Sequence, residues 1–331
     1  MSLKRLLRVI LGSLAGISVG LLGALSARFL MGRAHADKVW NESHYEPLKG
    51  MGSVKRLRVL PLIDWYADSP RFATEPGVSY LVEADETKIL FDLGYNMSGE
   101  HPSPILRNMK ALDLSLDQVD MVYISHAHCD HLGGMSHQME GTFDVSAEPV
   151  DLKGMPVYVP VPMSNPTANV TLLEEPEVLA PGVASIGAIP RQLFFFGWTP
   201  EQSLAVNVAG KGIVLIVGCG HSTLQRIVQR AEELFDAPIY GVVGGLHYPV
   251  VASRESMWGL PAQQIFGTGK WPWDPVNRGD VSKAISFLRA RTPQLVSLSA
   301  HDSCDWSLNA FRRGFGRAYK DLAVGREILV E

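Results

Sequence analysis

The chain has 331 residues, enough to bury a core of its own, and its 46% hydrophobic and 19% charged residues exclude a disordered polypeptide. The formal net charge of −4 argues against a nucleic-acid partner bound through a basic face. Three cysteines are too few, and odd in number, for a disulfide framework.

Residues 1–36 are predicted to be a membrane anchor or a signal segment. Lys4, Arg5 and Arg8 precede an uncharged stretch, residues 9–27, which as a helix would span roughly 28 Å, close to the thickness of a bilayer core. This length favours an uncleaved anchor, whereas the small residues at positions 34 and 36 fit a signal-peptidase site, so cleavage stays open. We expect a protein that is membrane-anchored, or exported to the periplasm or the extracellular side.

Residues 37–56 are predicted to be a linker, and residues 57–331 a single catalytic domain. Apolar runs typical of strands occur at residues 58–63, 78–83, 88–92, 118–125, 204–208, 212–217, 238–243 and 295–299, and helical periodicity at residues 103–114 and 223–235. This alternation predicts a layered α/β fold. Polar loops that collect at one end of the strands are where such folds usually build a site.

Two regions fit the core pattern poorly, residues 138–200 and residues 250–279. The first is rich in Pro, Glu and Gly and contains three successive phenylalanines, and the second carries three tryptophans. Both are interpreted as insertions near the mouth of the site. The alternative is that their aromatic side chains only cover an edge of the core.

The segment most typical of a functional site is His126-Ala127-His128-Cys129-Asp130-His131, directly after an apolar strand. On a turn, His126 and His128 can converge on one metal ion while Asp130 and His131 serve a second. Imidazole and carboxylate ligands together suit zinc, iron or manganese rather than calcium. Burying four such groups without partners would cost several kcal/mol in total, which disfavours a purely structural role.

This segment resembles the HxHxDH signature of the metallo-β-lactamase superfamily. Further similarity lies at residues 77–79, 89–94, 218–221, 244–247 and 300–301. These segments resemble a subgroup that includes the dihydropterin-ribofuranosyl-aminobenzene-phosphate synthase of methanogens and related metal-dependent hydrolases. The resemblance implies a four-layer αβ/βα sandwich of the metallo-β-lactamase type, here preceded by an N-terminal hydrophobic helix, with two divalent metal ions at one edge of the sheets.

The resemblance leaves the remaining ligands open. Many members supply a histidine to the first metal from the middle of the chain, and none occurs here between His137 and His221, so His221 is the preferred substitute. His247, by position, is expected to complete the second site, and His301 is then the candidate proton donor; the reverse assignment also stays open. Cys219 lies where many relatives place a metal-bridging aspartate, and is either a soft thiolate near the metals or a small buried residue.

Asp92 ends a predicted strand just before a glycine. The resemblance implies that its carboxylate orients a metal-bound imidazole. The alternative for Asp92 is a cap on a turn. Asp64 is a weaker candidate for the same neighbourhood.

The resulting hypothesis is a metal-dependent hydrolase that uses a metal-activated hydroxide on a small-molecule ester, lactone or phosphoester, with Asp130 holding the water. Zinc is the expected metal, with iron or manganese as alternatives. Competing interpretations are an iron-dependent oxidoreductase of the same fold, a pterin-related synthase or transferase, and a catalytically silent binding protein. The expected partners are a small-molecule substrate and a membrane through the N-terminal segment, with no nucleic acid.

Overall fold

The structure is a computed structural model that describes residues 3–252, 256–257 and 260–331, with side chains described for residues 20–252 and 263–331. Its strands are β1 (Leu57–Ile63), β2 (Ser79–Ala84), β3 (Thr87–Phe91), β4 (Met121–Tyr123), β5 (Pro156–Val159), β6 (Asn169–Leu172), β7 (Glu177–Ala180), β8 (Val183–Ser185), β9 (Gln192–Leu193), β10 (Gly197–Trp198), β11 (Leu204–Val208), β12 (Gly212–Val217), β13 (Ile239–Gly244), β14 (Ser256–Met257), β15 (Leu260–Pro261), β16 (Leu295–Leu298) and β17 (Ile328–Val330).

The described helices are α1 (Leu3–Glu42), α2 (Pro104–Ala111), α3 (Cys129–Leu132), α4 (Met135–Glu140), α5 (Leu224–Leu234), α6 (Ala262–Phe266), α7 (Arg278–Arg289) and α8 (Asp305–Phe315). Short 3₁₀ turns cover Leu116–Gln118 and Gly316–Ala318.

Two mixed sheets form the centre of the domain. The first has the strand order β17-β1-β2-β3-β4-β5-β6, and the second β16-β13-β12-β11-β8-β7. Strands β3, β4, β5 and β6 pair in parallel, as do β12, β13 and β16, while the remaining pairs in both sheets are antiparallel.

Three apolar clusters separate four layers. One cluster lies between the sheets, where Val82 and Phe91 of the first sheet meet Val206 and Val214 of the second. A second cluster packs the outer face of the first sheet against α2, and a third packs the second sheet against α5, α7 and α8. Because almost all side chains of β12 and β13 are buried on both faces, these strands are near-continuous apolar runs. The order helix, sheet, sheet, helix is the predicted sandwich.

Several predicted elements are confirmed, and two interpretations need correction. The interpretation of residues 138–200 as an insertion was wrong, because β5 and β6 extend the first sheet and β7 and β8 extend the second. Strands β6 and β7 lie at sheet edges and are largely unburied, so they lack the apolar alternation that identifies a strand in sequence. The strand predicted over residues 118–125 is shorter. Residue 118 still belongs to the 3₁₀ turn Leu116–Gln118, and the strand β4 covers only Met121–Tyr123.

Helix α1 runs without a break through the boundary predicted at residue 36, so the first six residues of the predicted linker are helical. Its C-terminal half is docked on the domain: Phe29 is fully buried against Phe194 and Trp271, and Asp37 pairs with Arg226. Within the described part of the chain, no helix combines the length and apolar character that a membrane crossing needs. Much of the predicted anchor, residues 1–19, lies outside the residues whose side chains are described.

The conformation of Gly133, in the turn after the histidine cluster, leads to a prediction about the free energy of unfolding. Gly133 has φ +85°, and a Cβ there would lie 1.9 Å from the carbonyl oxygen of Asp144. Gly133→Ala should therefore lower the free energy of unfolding by at least about 2 kcal/mol, from the left-handed backbone and the clash together. Chemical denaturation measures this change.

Gly210→Ala is the matched control, since Gly210 has φ +69° with nothing within 4 Å of its Cβ position. It should lose only about 1 kcal/mol, from the backbone alone. Equal losses in the two variants would mean that the close approach of Asp144 does not constrain this turn.

Candidate metal centre

Four strand ends bring the polar side chains together at one edge of the two sheets. The segment His126–His131 follows β4, Cys219 and His221 follow β12, His247 follows β13, and His301 follows β16. These strands end at the same edge because each belongs to a parallel pair or triplet. Residues distant in sequence therefore meet there.

The first group consists of three imidazoles. His128 Nδ1 lies 3.0 Å from His126 Nε2 and 3.2 Å from His221 Nε2. His221 Nδ1 donates to the carbonyl of Gly267, and His126 Nδ1 donates to the Oγ of Ser125. The Nε2 atoms of His126 and His221 therefore carry lone pairs, and both are directed at the same nitrogen of His128.

Such an arrangement fits a bound cation. Burial lowers the pKa of His126 and His221, and lowers that of His128 to about 4, so the rings are neutral near pH 7. A single proton on His128 Nδ1 can satisfy only one of the two facing lone pairs. Neutral imidazoles with converging lone pairs are the ligands that divalent transition metals prefer.

The second group contains Asp130, His131, Cys219 and His301. His131 Nε2 lies 3.5 Å from an Asp130 carboxylate oxygen and 3.1 Å from the Cys219 sulfur, and His301 Nε2 lies 3.1 Å from the same sulfur. Two imidazoles, a carboxylate and a thiol are four donors of the types that zinc binds. Cys219 also lies within ligand distance of His221 and His247, so its sulfur is between the two groups.

Two buried carboxylates outside these groups orient their imidazoles. Asp92 accepts from His131 Nδ1 at 2.6 Å and from the Ser125 hydroxyl at 2.7 Å. Asp64 accepts from the Ser299 hydroxyl, which in turn accepts from His301 Nδ1 at 2.6 Å. Each contact places a proton on Nδ1, so Nε2 of His131 and of His301 is the nitrogen that faces the centre.

A third buried carboxylate, Glu201, holds the loop that carries two of the donors. It accepts backbone N–H bonds from Cys219 at 2.9 Å, Gly220 at 2.7 Å and His221 at 2.5 Å. Burial raises the pKa of Glu201 to about 7, although these three donors oppose the shift. The sequence analysis missed Glu201; its only signal is an acidic residue directly before a strongly apolar strand pair.

His247 and His301, between which the sequence left the second ligand open, occupy different positions. Both residues line the open cleft, but His301 is in the second group and is 2% exposed, whereas His247 lies outside that group and has φ +53°. His247 Nε2 faces the Gln263 carbonyl at 3.4 Å, and its buried Nδ1 has no hydrogen-bond partner among the described residues, with an Asp302 carboxylate oxygen 4.0 Å away. The geometry therefore favours His301 over His247 beside Asp130 and His131.

An open cleft leads to both groups. Its walls are largely apolar and include Tyr95, Met135, Phe196 and Phe266. The Phe196 ring lies 4.7 Å from the His128 ring, so an aromatic side chain borders the first group directly. Among the described residues that line the cleft, none is a lysine or an arginine.

The position of Cys219 predicts a spectroscopic signature. When the full chain is loaded with cobalt in place of zinc, the wild type should show a thiolate-to-cobalt charge-transfer absorbance, because the Cys219 sulfur lies 3.1 Å from two imidazole nitrogens. Cys219→Ser should abolish the band. Cys304→Ser is the control, since Cys304 is buried outside both groups. Persistence of the band in Cys219→Ser would show that another thiol is the ligand.

Comparison with known proteins agrees with this geometry. A model of the metallo-beta-lactamase superfamily matches residues 73–218, which include the histidine cluster. The 7,8-dihydropterin-6-methyl-4-(beta-D-ribofuranosyl)-aminobenzene-5'-phosphate synthase of Methanocaldococcus jannaschii is 27% identical over 243 residues, 60% of this chain and 80% of that protein. The uncharacterized protein MJ0448 of the same organism is 25% identical over 203 residues, 54% of this chain and 74% of that protein.

Two solved structures share the fold. Tm1679, described as a metal-dependent hydrolase of the beta-lactamase superfamily, aligns with a TM-score of 0.56 at 20% identity, over 82% of this chain and 98% of that one. The metallo-beta-lactamase fold protein YhfI of Bacillus subtilis aligns with a TM-score of 0.51 at 13% identity, over 83% and 100%. The ligand signature within residues 73–218 and the layered sheets are therefore similar to those of the metallo-β-lactamase superfamily.

Proposed function

We propose that the protein is a metal-dependent hydrolase of a small-molecule ester, lactone or phosphoester. The observation that carries the proposal is the pair of ligand groups, His126–His128–His221 and Asp130–His131–Cys219–His301, at the floor of one cleft. A purely structural metal site has all its ligands supplied by the protein and is closed, whereas this one opens to a cleft that can admit a substrate.

The residues present suit two divalent metal ions, with zinc as the proposed metal. The first group would hold one ion and the second group the other, and the thiol of Cys219 favours zinc over manganese because thiolates are soft ligands. When bound, such ions ionise a water molecule near pH 7 and polarise the oxygen of the bond to be cleaved.

Asp130 is proposed to orient the attacking water. Burial would raise the pKa of its carboxyl, but the adjacent His131 and then His301 outweigh this effect and hold the pKa well below its usual range. The carboxylate is therefore ionised at neutral pH. It is partly exposed to the cleft, so it can accept a hydrogen bond from water there.

The proton donor to the leaving group is proposed to be His247 rather than His301. His301 is held by Ser299 at Nδ1 and directs Nε2 into the second group, so neither nitrogen faces the cleft as a free donor. His247 lines the cleft, and its Nδ1 has no hydrogen-bond partner among the described residues. Because burial lowers the pKa of His247 to about 4 and Nε2 faces the Gln263 carbonyl, Nδ1 carries a lone pair near pH 7, so it would take a proton from the attacking water and pass it to the leaving group. This reverses the roles that the sequence analysis preferred for the two histidines.

A pterin-related synthase is the second candidate. It is favoured by the 27% identity to the Methanocaldococcus jannaschii synthase over most of that protein's length. The apolar cleft with Tyr95, Phe196 and Phe266 would also accept a flat ring. Both candidates use the same ligand groups, and they differ in whether water or a second substrate attacks.

Loss of a ligand should remove activity selectively. In a screen of chromogenic esters, lactones and phosphodiesters with the zinc-loaded full chain, His221→Ala should lower kcat/KM at least about a hundredfold and reduce bound zinc. His137→Ala is the matched control, because His137 contacts Thr142 and belongs to neither ligand group. A zinc-loaded wild type that hydrolyses none of these substrates would contradict the hydrolase proposal and favour the synthase.

We also propose that residues 9–27 anchor the protein in a membrane. The support is the uncharged sequence of this stretch together with the docking of the following part of α1 on the domain, where Arg28 donates to the carbonyls of Phe194 and Phe195. An anchor that leaves the domain beside these residues would hold the cleft close to the membrane surface.

Charged residues introduced into the anchor should release the protein from the membrane. Leu14→Arg together with Ile17→Arg adds about 5–7 kcal/mol to the cost of membrane insertion, and should move the full chain from the membrane fraction to the supernatant. The double alanine variant at the same positions is the control and should stay with the membranes. Wild-type protein found in the supernatant would overturn the anchor.

A further inference from the structure

A second cavity lies against the metal centre and differs from the cleft in charge. The two share His221, His247 and Gly267 as a common wall. The cleft is lined by no described lysine or arginine, whereas the second cavity is lined by Arg191, Lys270 and Lys283. We refer to it as the cationic cavity.

Its positive charge exceeds its negative charge. Asp280 is the carboxylate that lines the cavity, and it pairs with Lys270 at 2.6 Å. Arg191 and Lys283 are left without an ion pair among the described residues. Thr223, the N-cap of α5, also lines the cavity, so the positive end of an 11-residue helix lies at its wall.

Arg191 is the residue that a simple structural role does not explain. Among the described residues, Arg191 makes one hydrogen bond, a long one of 3.3 Å from Nη2 to the carbonyl of Gly269, and its buried Nε has no hydrogen-bond partner. Burial, followed by the nearby Arg226 and Arg33, lowers the pKa of Arg191 to about 10, so it stays charged at neutral pH. A charged guanidinium that is largely buried and unpaired costs free energy unless a ligand supplies the opposite charge.

A second buried donor lies in the same wall. Thr268 is 8% exposed, lines the cationic cavity, and has an Oγ1 without a hydrogen-bond partner among the described residues. Thr268 and Arg191 are therefore two unsatisfied donors around one space. Guanidinium, hydroxyl and a helix N-terminus are the groups that proteins combine to bind a phosphate.

We propose that the cationic cavity binds a phosphate group of the substrate, and that this phosphate is a recognition element and not the group that is cleaved. Of the two ligand groups only His221 lines the cavity, and no member of the second group does, so a phosphate bound by Arg191 would lie away from the second group. The reacting bond would lie in the cleft, at the other end of the same molecule. This assignment of substrate class rests on the proposed function.

Binding of inorganic phosphate to the metal-free full chain tests the cavity independently of activity. Removing the metals by chelation eliminates phosphate binding to metal, so calorimetry reports the cavity alone. The wild type should bind phosphate saturably, and Arg191→Gln should weaken binding about ten- to a hundredfold, as expected for the loss of a charge-assisted contact. Arg226→Gln is the matched control: it removes the same charge nearby, but Arg226 does not line the cavity.

A second variant keeps the test decisive if Arg191→Gln unfolds. Lys283 is exposed on α7 and lines the cavity, so Lys283→Gln should fold normally and weaken phosphate binding severalfold. No saturable binding to the wild type, or equal binding by the wild type, Arg191→Gln and Lys283→Gln, would overturn the proposal.

The link to the reaction is tested with the zinc-loaded enzyme and two 4-nitrophenyl esters that differ only in a terminal phosphonate or methyl group. Arg191→Gln should raise KM for the phosphonate ester about tenfold or more and leave the methyl ester unchanged. An equal effect on both esters would overturn the assignment to the substrate. If the wild type hydrolyses neither ester, the proposed function fails, while the calorimetric result still decides whether the cavity binds phosphate.

Discussion

The convergence of neutral nitrogen lone pairs on one point is the constraint around which this domain is built. His128 Nδ1 lies 3.0 Å from His126 Nε2 and 3.2 Å from His221 Nε2. Burial lowers the pKa of all three imidazoles, so protonation does not relieve the repulsion between their lone pairs. Left alone, such an arrangement is repulsive. A cation turns the same geometry into a favourable one, so the site is arranged to bind a metal ion.

Three buried carboxylates outside the two ligand groups hold the ligands in this geometry. Asp92 fixes His131, Asp64 fixes His301 through Ser299, and Glu201 fixes the backbone of the Cys219 loop. Each carboxylate is fully buried, which is costly, and each is compensated by several N–H or O–H donors. Asp64 follows β1 of the first sheet and His301 follows β16 of the second, so the orientation of His301 depends on how the two sheets pack together.

The sequence predicted the local part of this site and not the part that depends on packing. His126 to His131 lie within six residues, so their spacing alone indicated two ions. The choice between His247 and His301 depends on how β13 and β16 align in the sheet, which no local pattern reveals. Glu201 was missed because its partners are backbone groups 18 to 20 residues away, and an acidic residue before an apolar strand pair does not by itself indicate them. The edge strands β6 and β7 were missed because exposed strands carry little apolar alternation.

An aromatic chain connects the docked helix with the metal centre. Phe29 of α1 contacts Phe194, Phe195 contacts Phe266, and the Phe196 ring lies against His128. Because the three phenylalanines of residues 194–196 are consecutive, the segment on which α1 docks continues directly into the wall of the cleft. The same helix brings Arg33 and Asp37 close enough to Arg191 to shift its pKa. The docked part of α1 therefore supports both a wall of the cleft and a side chain that lines the cationic cavity.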